Sequence, residues 1–295
     1  MKYIIEHYKN CKRFNEQYEE IYRFLLEAQK MEYNEHFHWG RFEWMNLHSM
    51  LDEDKLTQIT MFKNDNDKIV GMLLYDTSYD DRTYIIYTVP DKELLNQMVD
   101  TICEREGHRA VIKVNSKDTV LCEILQEKQF VKKCKDVSVL ELDFSKEMEY
   151  KIPDKYTLTP KGFVADNWKY QLVIHRGFDG EDIPDKWSDE LFGYFARTIS
   201  KDIVIQTFVI EKDEYCAHCG LWYSEGDTSY IEPVVTVPKD RGQGLAKAVV
   251  FESCNRARSK GAKRAIVLSD QAFYYKIGFE CSSEVYCWEK MEEIQ

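Results

Sequence analysis

Residues 230–260 read YIEPVVTVPKDRGQGLAKAVVFESCNRARSK. The apolar run Tyr230 to Val237 has the β-branched enrichment of a buried strand. Pro238 ends it, and Arg241-Gly242-Gln243-Gly244-Leu245-Ala246 forms a tight turn that opens a helix. In that helix Ala246, Val249, Val250, Ser253, Cys254 and Ala257 fall on one narrow face of small and apolar groups. Gly261 reads as the stop, with Arg256, Arg258 and Lys260 near the negative end of the helix dipole.

A strand, a glycine-containing turn and a helix N-terminus make an anion-binding device. The first helical turn leaves N–H groups without partners, and the macrodipole adds partial positive charge. Gly242 and Gly244 lack Cβ atoms and let the backbone approach a phosphate. On glycine spacing alone the stretch is equally an ordinary strand-to-helix turn. It carries neither the GxGxxG dinucleotide fingerprint nor the Gly-Lys-Ser/Thr of a Walker loop.

The full string, Val-Pro-x-x-Arg-Gly-x-Gly-x-Ala after a strand, resembles the acetyl-CoA pyrophosphate loop of the GNAT N-acetyltransferase superfamily, Gln/Arg-x-x-Gly-x-Gly/Ala. Arg241, Gly244 and Ala246 stand at the defining positions. Further on, Tyr274-Tyr275-Lys276-Ile277-Gly278-Phe279 resembles the family's Tyr-x-Lys-Leu-Gly-Phe motif, with Ile277 in place of Leu. The motifs occur in the family's order over roughly the last half of the chain.

At 295 residues the chain has room for two domains. No run approaches the ~18 apolar residues of a membrane helix, and the N-terminus has no long apolar signal-like region. The nine cysteines form no framework and are odd in number, which fits free thiols in a reducing cytoplasm. A net charge of −12 argues against a general nucleic-acid or anionic-membrane binder and suits a cationic amine substrate.

The chain also repeats. Gly71 to Gly220, Pro90 to Pro238 and Phe130 to Phe279 keep a nearly constant offset, and the order of helix-like and strand-like segments recurs with it. The expected fold class is mixed α/β: two tandem GNAT-like domains, each a mostly antiparallel mixed sheet flanked by helices, over residues 1–148 and 149–295, with a linker near Ser145 to Pro160. The first copy reads as degenerate. Glu93 falls opposite Arg241, Asn96 opposite Gly244, and Leu125 opposite Tyr274. A carboxylate there repels a pyrophosphate, so no acetyl-CoA is expected at this copy. It would cover the sheet, shape the acceptor cleft or dimerise, and a homodimer fits this reading.

The resemblance implies an N-acetyltransferase moving acetyl from acetyl-CoA to a primary amine of a small molecule or peptide, by direct attack in a ternary complex. It implies that backbone groups of Val235, Thr236 and Val237 bind the cofactor and polarise the thioester, and that residues Arg241, Gly242, Gln243, Gly244, Leu245 and Ala246 hold the pyrophosphate. It implies Tyr274 as proton donor to the thiolate; the alternative is a packing aromatic. Glu232 reads either as the base that accepts the amine proton or as an exposed strand carboxylate. Asp270 stands where many members have Asn near the pantetheine arm, which puts a cofactor role there in doubt. Trp168, His175, Arg176 and Phe178 are candidates for acceptor contact. No metal is expected: Cys216 and Cys219 have CxxC spacing in a strand, where i and i+3 face opposite sides. His36, His38, Trp39, Arg41 and Trp44 read as aromatic packing more readily than as a pocket. The rival class is a non-catalytic acyl-CoA-binding or interaction protein built on two such folds.

Overall fold

The computed structural model describes residues 3–9, 15–47, 53–76, 82–178, 180 and 204–291. The helix expected over Ser188 to Ile199 lies outside them. The chain divides into two units, each mixed α/β with a mostly antiparallel sheet and flanking helices.

The first unit comprises Met1–Val139, Leu268–Asp270 and Cys281–Gln295. Its elements begin with β1 (Ile4–His7), α1 (Tyr18–Ala28), α2 (Trp39–Leu47), β2 (Thr60–Lys63), β3 (Ile69–Leu74) and β4 (Thr83–Tyr87). They continue with α3 (Lys92–Glu106), β5 (Val111–Asn115), α4 (Thr119–Glu127) and β6 (Phe130–Asp143). Strands β1 to β4 are antiparallel neighbours, and β4 pairs parallel with β5 at Thr83↔Ile112 and Tyr84↔Lys113. Helix α3 starts where Asp91 accepts from Leu94 N and ends at Gly107, whose φ of 60° lies outside the helical region. Its buried face of Leu94, Leu95, Met98, Val99 and Ile102 joins Phe62, Leu73, Ile85 and Ile112 in the core.

The aromatic segment, residues 36–44, runs into helix α2. His36, His38, Trp39 and Trp44 are buried, and His36 stacks on Tyr84 with its ring pushed down to about 4 by burial. These groups pack, as the balance of the sequence favoured. Glu43, on the same helix, has no exposed surface. Burial pushes its carboxyl up to about 7, against the lowering effect of the Tyr18 hydroxyl beside it.

The second unit comprises Leu140–Val267 and Gln271–Glu280. It contains β7 (Thr157–Leu158), α5 (Asn167–Phe178), β8 (Val204–Glu211), β9 (Glu214–Trp222) and β10 (Thr228–Thr236). After these come α6 (Leu245–Lys260), β11 (Arg264–Leu268) and α7 (Ala272–Lys276). Strands β7 to β10 are antiparallel neighbours, and β10 runs parallel to β11. Helix α6 ends at Gly261, left-handed at φ 115°. Its buried face is wider than the narrow stripe expected: Leu245, Ala248 and Phe251 are buried, whereas Ala246 is half-buried. Arg256 is buried too, donating to the Thr159 carbonyl and, at 2.8 Å, to Glu252. Residues 145–160, expected as a linker, are strapped onto this unit together with Phe144 before them. Met148 exchanges backbone bonds with the Asn255 amide, Tyr150 donates to Glu252, and Phe144 and Tyr156 are buried.

The last strand, β12 (Glu280–Lys290), pairs antiparallel with β5, from Val285↔Asn115 to Glu289↔Val111. Strand β6 neighbours β12 and β11. It is longer than the expected Val137 to Phe144 because its first half, Lys132 to Asp136, lacks the apolar alternation that marks a strand. Trp288, near the end of the sequence, thus packs in the core of the first unit. No helix among the described residues is long and apolar enough to cross a membrane.

Trp288→Ala is expected to cost about 3–5 kcal/mol and to strip hydrogen-exchange protection from α3 and α4 while α6 keeps its own. Protection lost first from α6 would contradict the assignment of β12 to the first unit. Glu43 gives a pH signature. Its carboxyl is raised in the fold, so its contribution is complete below pH 4.5 and is lost as pH rises towards about 7. Glu43→Gln should therefore gain on the order of 3 kcal/mol over the parent between pH 4.5 and 8, read by denaturant unfolding. Parallel pH profiles for the two proteins would refute it.

Candidate active site

Strand β10 pairs with β11 only at Thr228↔Arg264, Ser229↔Ala265 and Tyr230↔Ile266. Its register on β9 then shifts between Ile231 and Val234, and it continues to Thr236 along β9 alone. The two parallel strands therefore part after Tyr230. Val237 N donates to Cys216 O at 2.9 Å, so by strand alternation Val235 also faces β9, while Val234 and Thr236 turn their backbone groups to the side that β11 has left. Of the three backbone positions expected to line a cofactor, Thr236 is the one directed into the opening. Its carbonyl accepts from Arg241 Nε at 3.1 Å.

A short 3-10 turn over Pro238–Asp240 leads into the loop. Gly242 and Gly244 sit at φ 75° and 80°, conformations that other residues adopt only with strain. Gly244 is the N-cap of α6, and no side chain caps this helix. Arg241, Gly242, Gln243 and Gly244 are exposed, Ala246 is half-buried, and Leu245 is buried as the anchor. The result is an open turn of N–H groups at the positive end of a 16-residue helix. The turn is open at Gly242, where an added Cβ would meet nothing within 4 Å. Behind the loop, buried Asp240 accepts from the Tyr156 hydroxyl at 3.0 Å. Glu211, Cys216 and Asp240 bring ligand-capable atoms within 4.8 Å of one another. The Cys216 thiol is pushed up to about 12, first by burial and then by its hydrogen bond to Asp240, so this group is held as a protonated thiol on a carboxylate.

The equivalent place in the first unit is closed. Asp91 supplies a carboxylate cap where Gly244 leaves the helix open. Thr88 N donates to Val70 O, which turns the Tyr87 backbone the other way, and there the Asn34 amide donates to Tyr87 O at 2.8 Å. Asn34 is buried and Tyr33 stacks on Tyr87, so side chains fill the space beside β4.

Tyr274 is buried on α7 and meets Phe273 and Phe279 edge-on at 5.0 and 5.4 Å, whereas Tyr275 is exposed. Burial, then Cys219 and Glu232, hold the Tyr274 phenol well above its ordinary value. Glu232 is half-buried at the register shift. Its carboxylate accepts from the Tyr230 hydroxyl at 2.5 Å and its carbonyl from Trp222 Nε1 at 2.8 Å. Gly220 makes this possible: a Cβ there would lie 2.5 Å from Glu232 O. The buried Tyr170 phenol is likewise held up by burial and then by Glu232. Tyr274, Tyr170, Tyr230 and Glu232 thus form one cluster beside the parted strands. Tyr170, Tyr230, Trp222 and Gly220 were not read as site residues; the recurrence of Gly71 at Gly220 was their one sequence signal. Chemically, the cluster offers a carboxylate that can take a proton and a phenol that keeps one.

The remaining candidates scatter. On α5, Trp168 and Phe178 are exposed and His175 and Arg176 half-buried. Asp270 accepts from Ser138 and from Lys135, both at 2.7 Å; burial raises its carboxyl, but these partners bring it below the usual range. Cys216 and Cys219 are both buried in β9, and the described cysteines are free.

Comparisons with known proteins agree with this geometry. Residues 170–279 match the profile described as Acetyltransferase (GNAT) family. Over 53 residues the chain is 43% identical to glucosamine 6-phosphate N-acetyltransferase of Trypanosoma brucei brucei, covering 17% of this chain and 36% of that one. The chain thus spans about a third of the curated relative it matches. Among solved structures it resembles a tandem GNAT protein from the clavulanic acid biosynthesis pathway (TM-score 0.58, 9% identity, 99% of this chain and 100% of that one). It also resembles a GNAT-family acetyltransferase from Colwellia psychrerythraea (TM-score 0.58, 13% identity, 98% and 100%). At these identities the likeness is one of fold, and it extends over both units. Residues 170–279 thus carry the match to the Acetyltransferase (GNAT) family, and the likeness of fold to GNAT structures runs along the chain.

Proposed function

We propose that the second unit transfers an acetyl group from acetyl-CoA to a primary amine of a small molecule or peptide, by direct attack in a ternary complex. The observation that carries this reading is the parting of β10 from β11 beside an uncapped, two-glycine helix start, with Tyr274 and Glu232 at the same opening. Acetyl-CoA supplies the activated thioester. Backbone amides of residues 242–246 bind the pyrophosphate, with Arg241 at the head of the loop, and the cleft-side edge of Val235 to Val237, through Thr236, orients the pantetheine arm and polarises the carbonyl. Glu232 accepts the proton that makes the amine nucleophilic, and Tyr274 gives its proton to the departing thiolate. No metal enters this chemistry. The acceptor class takes in amino sugars such as the one in the relative's name, and amines of peptides. Free thiols and an acidic surface fit a cytoplasmic enzyme that binds neither nucleic acid nor membrane, and a homodimer is compatible with it.

Gly244→Glu is expected to abolish acetyl-CoA binding while the far-ultraviolet spectrum stays native, and the parent should bind one acetyl-CoA per chain by calorimetry. Unchanged affinity in the variant would sink the loop assignment, and two molecules per chain would sink the closed first unit. Tyr274→Phe should lower kcat about 100-fold or more with little change in KM. Because the phenol is held above 10, the parent's kcat profile should show no basic limb from this group below pH 10. A loss of only a few-fold would leave Tyr274 as a packing aromatic. Acetyl-CoA binding without turnover on a broad amine panel, amino sugar phosphates included, would assign the chain to the non-catalytic class instead.

A further inference from the structure

The Arg241 side chain does not reach out from the loop. It folds back, donating from Nε to Thr236 O at 3.1 Å and from Nη2 to Gly177 O at 3.0 Å. Thr236 is the cleft-side residue of β10, and Gly177 lies in the last turn of α5. A helix leaves its last carbonyls without intrahelical donors, and a cation there also meets the negative end of the dipole. One planar guanidinium therefore ties the end of α5 to the end of the cofactor strand. A second contact holds the same junction. A Cβ on Gly177 would fall 2.5 Å from Val235 Cβ and 2.9 Å from its Cγ1, so the helix backbone lies directly on the strand and no larger residue fits.

Helix α5 also delivers Tyr170 into the Glu232 cluster, where its phenol packs edge-on to His218 at 5.2 Å. We infer that the Arg241 side chain is a positioning residue: it clasps α5 to β10 through two backbone carbonyls, and so sets the acceptor side of the site against the cofactor side. The pyrophosphate is left to the backbone amides of the glycine turn. This rests on the proposed acetyl-CoA reading for its second arm only.

The two roles for Arg241 separate by substitution and by cofactor truncation. Arg241→Ala and Arg241→Lys are compared with the parent. Lysine keeps the charge that a phosphate needs but, as a point donor, cannot span two carbonyls. The first readout is hydrogen exchange of residues 167–178 in the protein without cofactor. Exchange should quicken about tenfold in both variants, with α6 unchanged. The second is the dissociation constant for CoA and for pantetheine, which lacks the pyrophosphate. The clasp predicts that each variant weakens both ligands by the same factor, with no rescue by lysine. Parent-like exchange in α5 would overturn the inference, as would a loss confined to CoA that lysine restores. Gly177→Ala, which leaves Arg241 in place, should also quicken exchange of α5. If the parent binds neither probe, the acetyl-CoA reading fails while the exchange of α5 still decides the clasp.

Discussion

Two parallel strands hold together for three residue pairs and then separate, and the second unit is arranged around that separation. A parallel ladder broken in mid-strand leaves backbone donors and acceptors without their usual partners. The register shift at Ile231 to Val234 makes the break specific, because it moves Glu232 off the regular alternation and lets the strand follow β9 alone. Every candidate group of the site is referred to that point. Thr236 faces the opening, Glu232 sits at the irregularity, Tyr274 looks in from the helix after β11, and the loop begins where β10 ends. Gly220 and Gly177 mark how closely the neighbouring backbones approach the strand from two sides; each has no room for a Cβ.

The first unit separates what the fold requires from what the ligand requires. It repeats the parallel pair, β4 with β5, and the following helix with its apolar face. It differs in how the freed polar groups are satisfied. At α3 a carboxylate caps the helix, and beside β4 the Asn34 amide takes the carbonyl that the missing ladder leaves over. At α6 neither substitute exists on the helix start, since Gly244 has no side chain to offer. Relative to glycine a cap of this kind is worth roughly a few tenths of a kcal/mol, so the uncapped start is a small cost retained in the free protein. It is the cost expected of a surface kept open for an anionic group.

How much of this was legible in the sequence follows from how local each feature is. The Arg241 to Ala246 turn and the stop at Gly261 come from short-range geometry. The repeat was legible because glycine, proline and phenylalanine landmarks survive where the backbone needs them. The partner of the last strand was not. Glu284 to Trp288 reads as a strand that could pair with any neighbour, and nothing in its alternation names β5 as the partner. The first half of β6 failed for the opposite reason: its lysines and Asp136 deny it a buried face, yet β12 beside it makes it a strand. Arg256 was read as a dipole cation at a helix end and is instead a buried strut to the Thr159 carbonyl, a contact across 97 residues that no local pattern encodes.

The same distinction bears on the chemistry. Residue type and spacing pointed to Tyr274 and Glu232, but not to what gives either group its character. A phenol donates to a departing thiolate only if it still holds its proton when the site is loaded, and that is a matter of environment. Here burial dominates, with Cys219 and Glu232 adding to it, so three separate segments fix the protonation of one hydroxyl. Glu232 in turn is held by Tyr230 from its own strand and stands against Tyr170 from α5. The carboxylate proposed to take a proton from an amine therefore also helps hold the proton on the phenol. The phenol thus keeps its proton before any ligand arrives, and the Arg241 and Gly177 contacts hold α5, with Tyr170, against the strand that carries Glu232.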